Sequence, residues 1–128
     1  MNKNYKAKII AKDSEGLQMI SAYCTGATVK INEMKYLSQN KIFLLFLERS
    51  SKDENNKELK INSICKFEFV DNVKSKNINQ NDRDLFLELL AIDIIKIREN
   101  YEINLIFSNN AYIIMSTEIT EVTLEDQD

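Results

Sequence analysis

Segments in which apolar and polar residues alternate follow one another along this chain, and no helical pattern lies between them after the first quarter. The clearest alternation is CKFEF at 65–69, in which Cys65, Phe67 and Phe69 are predicted to point into the core. Parallel neighbouring strands need a long crossover, usually a helix. Because the sequence offers no such crossovers, it excludes a parallel βαβ sheet and predicts antiparallel strands.

Helical spacing is confined to one segment near the N-terminus. Leu17, Ile20 and Cys24 recur on one helical face, Asp13 is a typical N-cap, and Gly26 fits the residue that ends a helix in a left-handed conformation. The sequence therefore predicts an α+β fold: a curved antiparallel sheet or half-barrel of about seven strands with one N-terminal helix at about 14–25.

Three places in the strands carry particular expectations. The segment IFLLFLE at 42–48 is apolar on both faces, which is typical of a central strand covered on both sides. A bulge near Asn32 and Glu33 would bring the apolar residues before and after it to one face. A second bulge at Leu89–Leu90 would place Glu88 and Asp93 on the solvent side; if both were buried instead, they would form a conceivable acid/base pair.

The length of 128 residues predicts a single domain over 1–128. The polar segment SSKDENNKE at 50–58 is predicted to be a mobile loop, and a turn-rich linker is predicted from Lys74 to Asp84. The acidic end at 125–128 is predicted to fray.

The chain contains no histidine, which removes the side chain that changes charge near neutral pH and the commonest metal ligand. Catalytic triads and the usual zinc sites are therefore excluded. The two glycines do not form a phosphate-binding loop, so no cofactor is expected. Cys24 and Cys65 form no CxxC pair, and each is predicted to be a small buried hydrophobic residue rather than half of a disulfide.

Charge and hydropathy restrict the classes of partner that the protein is expected to bind. The formal net charge is −3 and the basic residues are dispersed, so nucleic-acid binding is not expected. No apolar run approaches the roughly 18 residues that span a bilayer, and no signal peptide precedes the first strand. The sequence therefore predicts a cytoplasmic protein that does not bind membranes.

Candidate contacts come from the arginines and from one acidic segment. Arg49, Arg83 and Arg98 persist among 14 lysines, and arginine provides a planar, bidentate donor that lysine lacks. They are candidate contacts to a partner or an anion. Asp82 and Asp84 bracket Arg83, but the glycine and glutamate of an EF-hand loop are missing. That segment is better interpreted as a loop that caps the following strand.

Three stretches together resemble a family of uncharacterised small single-domain proteins, found mainly in alphaproteobacteria and classed as a domain of unknown function. They are LQMISAYCTGATVKINEMKYL at 17–37, KFEFVDNVKSKNI at 66–78 and LFLELLAIDI at 85–94. The resemblance implies a glycine where Asn77 stands, a position that would fit a left-handed backbone. It also implies a frequent histidine near Tyr23, and it carries no established activity.

The absence of a catalytic grouping, together with the exposed edges of an open sheet, favours a non-enzymatic module that binds another protein or a second copy of itself. One alternative is a half-barrel that binds a small anion or apolar molecule in its concave face, contacted by Arg49 and Arg98. A second alternative is a carboxylate-dependent enzyme, which would need groups such as Glu88, Asp93 and Asp82 to converge in a cleft.

Overall fold

A computed structural model describes residues 7–79, 81–82 and 84–127 of the chain. Within these residues the chain forms nine strands and one helix. In chain order they are β1 (Lys8–Ala11), α1 (Ser14–Cys24), β2 (Ala27–Leu37), β3 (Ile42–Lys52), β4 (Glu58–Phe67), β5 (Val70–Lys76), β6 (Phe86–Ile97), β7 (Asn100–Phe107), β8 (Tyr112–Thr117) and β9 (Val122–Asp126).

The strands form one antiparallel sheet in the order β1-β9-β4-β3-β2-β6-β7-β8-β5. The sheet curls, because the start of the edge strand β5 returns to the distant hairpin of β2 and β3. The Val70 amide donates to the Lys41 carbonyl at 2.8 Å, and the Tyr36 hydroxyl donates to the Val70 carbonyl at 2.8 Å. The curl encloses one core, which holds the alternate residues of each strand that face inward.

The helix α1 packs its apolar stripe into the same core. Asp13 is its N-cap and accepts from the Gly16 amide at 2.7 Å, while Gly26 follows the helix with φ 87. The Ser21 hydroxyl accepts from the Ile92 amide at 2.9 Å, so the helix covers the edge of β6 where β2 no longer pairs with it. These caps lie where the sequence predicted them.

The predicted fold class is wrong in its strand count, because two segments that were each predicted as one strand form two. The segment around CKFEF breaks after Phe67, and Phe69 is 42% exposed with φ 59 instead of pointing into the core. The alternating segment from Tyr112 to about Val122, predicted as one last strand, breaks after Thr117 into β8 and β9. With nine strands and one short helix among the described residues, the molecule is mostly sheet rather than an α+β mixture.

Three other segments have boundaries that differ from the prediction. The predicted loop at 50–58 is a hairpin turn over 53–57, because β3 continues to Lys52 and β4 begins at Glu58. Two residues of the predicted fraying tail, Glu125 and Asp126, belong to β9. The predicted linker from Lys74 begins inside β5.

Both predicted bulges are confirmed. The register of β2 on β3 shifts between Val29 and Met34, and the register of β6 on β7 shifts between Leu89 and Ala91. Four asparagines occupy left-handed positions at turns, where asparagine is tolerated. One is Asn56, with φ 65 in the turn between β3 and β4. The others are Asn77, where the resemblance implies glycine, with φ 59, and Asn109 and Asn110 with φ 62 and 58.

Candidate functional site

Arg49 lies on the inner face of β3 and is 7% exposed. Its Nη2 donates to Asp126 Oδ2 at 2.5 Å, and its Nε donates to Asp126 Oδ1 at 3.0 Å. Such a two-point contact uses the planar geometry that distinguishes arginine from lysine. The candidate ligand-binding arginine is therefore paired inside the protein, across 77 residues of sequence.

Asp126 is surrounded by donors. The Ser63 hydroxyl donates to its Oδ1 at 2.6 Å and the Ala7 amide donates to its Oδ2 at 2.8 Å. Burial alone would raise the pKa of Asp126, but the hydrogen bonds from Arg49, Ser63 and Ala7 outweigh burial and lower it. The carboxylate stays ionised and joins β9 to β3, to β4 and to the residue before β1.

Cys24 lies close enough to Arg49 and Asp126 for both charges to act on its thiol, and Cys65 lies near Cys24. Both are free and buried, as predicted. Burial raises the pKa of Cys24 to about 12 and raises that of Cys65 well above its ordinary value. Since the thiolate is the reactive form, these thiols are unsuited to nucleophilic chemistry.

The Tyr23 ring lies 5.4 Å from the Arg49 guanidinium carbon and covers it from the helix side.

The remaining sequence-predicted candidates are not brought together. Arg98 is exposed in the turn between β6 and β7, with φ 59. Asp82 and Asp84 are exposed in the connection between β5 and β6. Arg83 lies outside the described residues.

The two carboxylates of β6 do not form an acid/base pair either. Glu88 and Asp93 are both exposed; along β6, Glu88 comes before the confirmed bulge and Asp93 comes after it. Across the described ranges, no three cysteine, aspartate or glutamate side chains are grouped to hold a metal ion.

A concave surface of about 530 Å³ lies on the outer face of β1, β9, β4 and β3. Its floor includes Ile10, Leu44, Ile64 and Thr123. We call this surface the outer groove. Phe46 lies beside it, because Phe46 is the cross-strand partner of Ile64.

The rim of the outer groove carries both signs of charge in neighbouring pairs. Lys8 is the cross-strand partner of Glu125, and Lys12 Nζ lies 3.8 Å from a Glu121 carboxylate oxygen. Lys66 and Glu68 complete the charged rim. A hydrogen bond with Glu121 and partial burial raise the pKa of Glu68, and the nearby Lys66 does not offset them.

The sequence reasoning missed the outer groove, although it noted the signal. The segment IFLLFLE is apolar on both faces, and Phe43, Leu45 and Leu47 are buried in the core as expected. On the other face Ile42, Leu44 and Phe46 are half-buried. The expected cover on both sides was wrong: α1 packs on the core side, and among the described elements none lies over the outer face.

Comparison with known proteins identifies a family. No helix in the described part of the chain has the length and apolar character needed to cross a membrane. No curated protein and no solved structure matches the sequence. A family model does match, over residues 7–128, and the chain therefore belongs to the family described as "Protein of unknown function (DUF2948)".

Proposed function

We propose that the protein is a self-associating module whose copies dock face to face through the outer groove. The observation that carries this proposal is the half-buried apolar outer face of β3, where Ile42, Leu44 and Phe46 lie beside Ile64 of β4. The outer face of an antiparallel sheet is ordinarily polar where it meets water. Contiguous exposed apolar surface marks an interaction site.

The charges of the rim favour a second copy as the occupant. Three lysines and three glutamates surround the floor, so the rim has no net charge to attract a strongly acidic or basic partner. In a two-fold dimer the same surface meets itself, and each lysine can face a glutamate of the other copy. Two sheets packed in this way form a sandwich with aligned strands.

The packing of the interior counts against the ligand-binding half-barrel. The inner face of the sheet is filled by large, fully buried side chains, including Phe67, Phe107 and Met115. Arg49 is committed to Asp126, and Arg98 lies in an exposed turn. Neither arginine is thus available to line a concave interior site.

We place the protein in the cytoplasm. The support is the chemistry of Cys24 and Cys65, which are both free thiols. Structural disulfides are common in oxidising compartments and rare in the reducing cytosol. The proposal is tested by localising a tagged chain in cells.

Self-association is tested by comparing two strand isoleucines of similar exposure. Ile10, on the groove floor, is 56% exposed, and Ile97, at the end of β6, is 48% exposed. Light scattering coupled to gel filtration is expected to give the mass of a dimer for the unaltered protein and for Ile97→Glu. Ile10→Glu and Leu44→Glu are expected to give the mass of one chain, because a carboxylate in an apolar interface is strongly unfavourable.

Circular dichroism of each variant separates lost association from lost folding. A single-chain mass for the unaltered protein at all concentrations up to the millimolar range contradicts the proposal. A dimer that persists in both groove variants contradicts the choice of this surface.

A further inference from the structure

Phe69 has an uncommon conformation for its residue type. Its φ is 59 and its side chain is 42% exposed, whereas the next residue, Val70, is fully buried. A bulky side chain in the left-handed region is an outlier that costs free energy. Because Phe69 also keeps about two-fifths of its surface exposed, folding alone does not account for a phenylalanine at this position.

The backbone on both sides of Phe69 is fixed. The Glu68 amide donates to the Glu121 carbonyl at 3.0 Å, and the Val70 amide donates to the Lys41 carbonyl at 2.8 Å. These bonds hold the short connection between β4 and β5 against two other connections. The aromatic ring is thus displayed on a rigid support, which lowers the entropic cost of binding through it.

Two further exposed apolar residues lie in or directly next to those connections. Leu37 ends β2, just before the turn that contains Lys41, and is 42% exposed. Ile119 lies two residues before Glu121 and is 54% exposed. We call Leu37, Phe69 and Ile119 the Phe69 patch.

Carboxylates around the patch outnumber lysines by four to three. Lys41 lies 3.0 Å from Asp71, and Lys12 lies 3.8 Å from Glu121. These two pairs leave the carboxylates of Glu68 and Glu118 against the one remaining lysine, Lys66.

Crowding of the carboxylates has a direct effect on Glu68. A hydrogen bond with its neighbour Glu121 favours the protonated form and raises the pKa of Glu68, even though Lys66 acts in the opposite direction. An approaching cation would relieve this crowding.

We propose that the Phe69 patch is a docking site for a partner segment that has an apolar face flanked by lysine or arginine side chains. The aromatic ring supplies the buried anchor and the carboxylates supply charge complementarity. A second copy fits this site less well, because it would bring the same acidic surroundings and a net charge of −3. The patch adjoins the outer groove and shares Glu68 and Glu121 with its rim, but its apolar residues are not part of the groove floor, and the site does not depend on self-association.

The test uses a synthetic amphipathic helical peptide with leucines on one face and lysines on the other, and a matched peptide in which glutamates replace the lysines. Titration calorimetry with the full chain is expected to show binding of the lysine peptide and none of the glutamate peptide. Phe69→Asn is expected to weaken the lysine peptide at least tenfold. Since asparagine tolerates the left-handed conformation, the Tm of this variant should equal or exceed that of the unaltered protein.

Ile97→Asn is the matched control, because Ile97 is 48% exposed at the far end of the β6–β7 hairpin. It should bind the lysine peptide as the unaltered protein does. Ile10→Glu should also bind it, even as a single chain, which separates this site from self-association. The proposal is overturned if the lysine peptide does not bind, if both peptides bind equally, or if Phe69→Asn and Ile97→Asn change its affinity to the same extent.

Discussion

At the residue scale, the ion pair between Arg49 and Asp126 shows how a buried charge is tolerated in this small protein. Each buried charge is costly unless it is paired and hydrogen-bonded. The Asp126 carboxylate accepts from Arg49, Ser63 and Ala7, so its desolvation is compensated on both oxygens. The pair therefore joins strands that are far apart in sequence, and it is not a site that awaits a ligand.

Asp126→Asn is expected to lower the free energy of unfolding by about 3 kcal/mol near pH 7, because it leaves the Arg49 charge buried without its partner. The pKa of Asp126 in the folded state lies below its ordinary value of 3.8. The stabilisation is therefore complete above that value and is lost as the pH falls through the folded pKa. Urea unfolding at a series of pH values should show the difference between the two proteins shrinking below about pH 4.

Glu125→Gln, which changes the exposed neighbour of Asp126, is the control and should change stability by less than about 0.5 kcal/mol. The double variant Arg49→Met with Asp126→Leu should be more stable than Asp126→Asn, because no charge remains buried. If Asp126→Asn is as stable as Glu125→Gln at pH 7, the pair does not contribute as described.

At the element scale, the features set by local sequence were predictable and the breaks between strands were not. Asp13 and Gly26 bound the helix, and the carboxylates of β6 required a bulge near Leu90, because each of these signals depends on neighbouring residues. Period-two alternation continues through Phe69, and only the positive φ of that residue ends the run. Thr117 and Thr120 are both buried although they are three residues apart, which marks the break between β8 and β9, but this burial is visible only in the structure.

The partner of Arg49 could not be predicted from local patterns. The sequence predicted that Arg49 makes a specific contact, but Asp126 lies 77 residues away in a segment that was expected to fray. Only the sheet order, which places β9 between β1 and β4, brings the two side chains together. The outer groove depends on the same non-local pairing.

The strand β9 carries a prediction of its own. A chain that ends at Glu121 lacks the pairing partner of β1 and the buried residues Val122 and Leu124. The truncation loses the burial of these two side chains and the ion pair, which together contribute roughly 6 kcal/mol to the free energy of unfolding. This loss is comparable to the whole stability of a small domain. We expect this chain to show no cooperative thermal unfolding by circular dichroism.

A chain that ends at Gln127 keeps all of β9 and is the matched control; it should unfold cooperatively near the Tm of the full chain. Cooperative unfolding of the chain that ends at Glu121, within a few degrees of the control, would show that β9 is dispensable.

At the scale of the whole molecule, the two faces of the curled sheet differ in whether other elements cover them. The inner face forms the core, and the outer face of β3 and β4 keeps apolar residues that no described element covers. An association that buries this face binds the folded chain and not the unfolded chain. Mass action then makes stability depend on protein concentration, which an ordinary monomer does not show.

We therefore expect the Tm of the unaltered protein to rise with concentration, by about 3 °C for each tenfold increase above the dissociation constant. The Tm of Ile97→Glu should rise with concentration to the same extent. Ile10→Glu should have one Tm at all concentrations, because its groove no longer docks on a second copy. Differential scanning calorimetry over a hundredfold range of concentration measures this directly. A Tm of the unaltered protein that is constant over that range would mean that the outer face stays in contact with water.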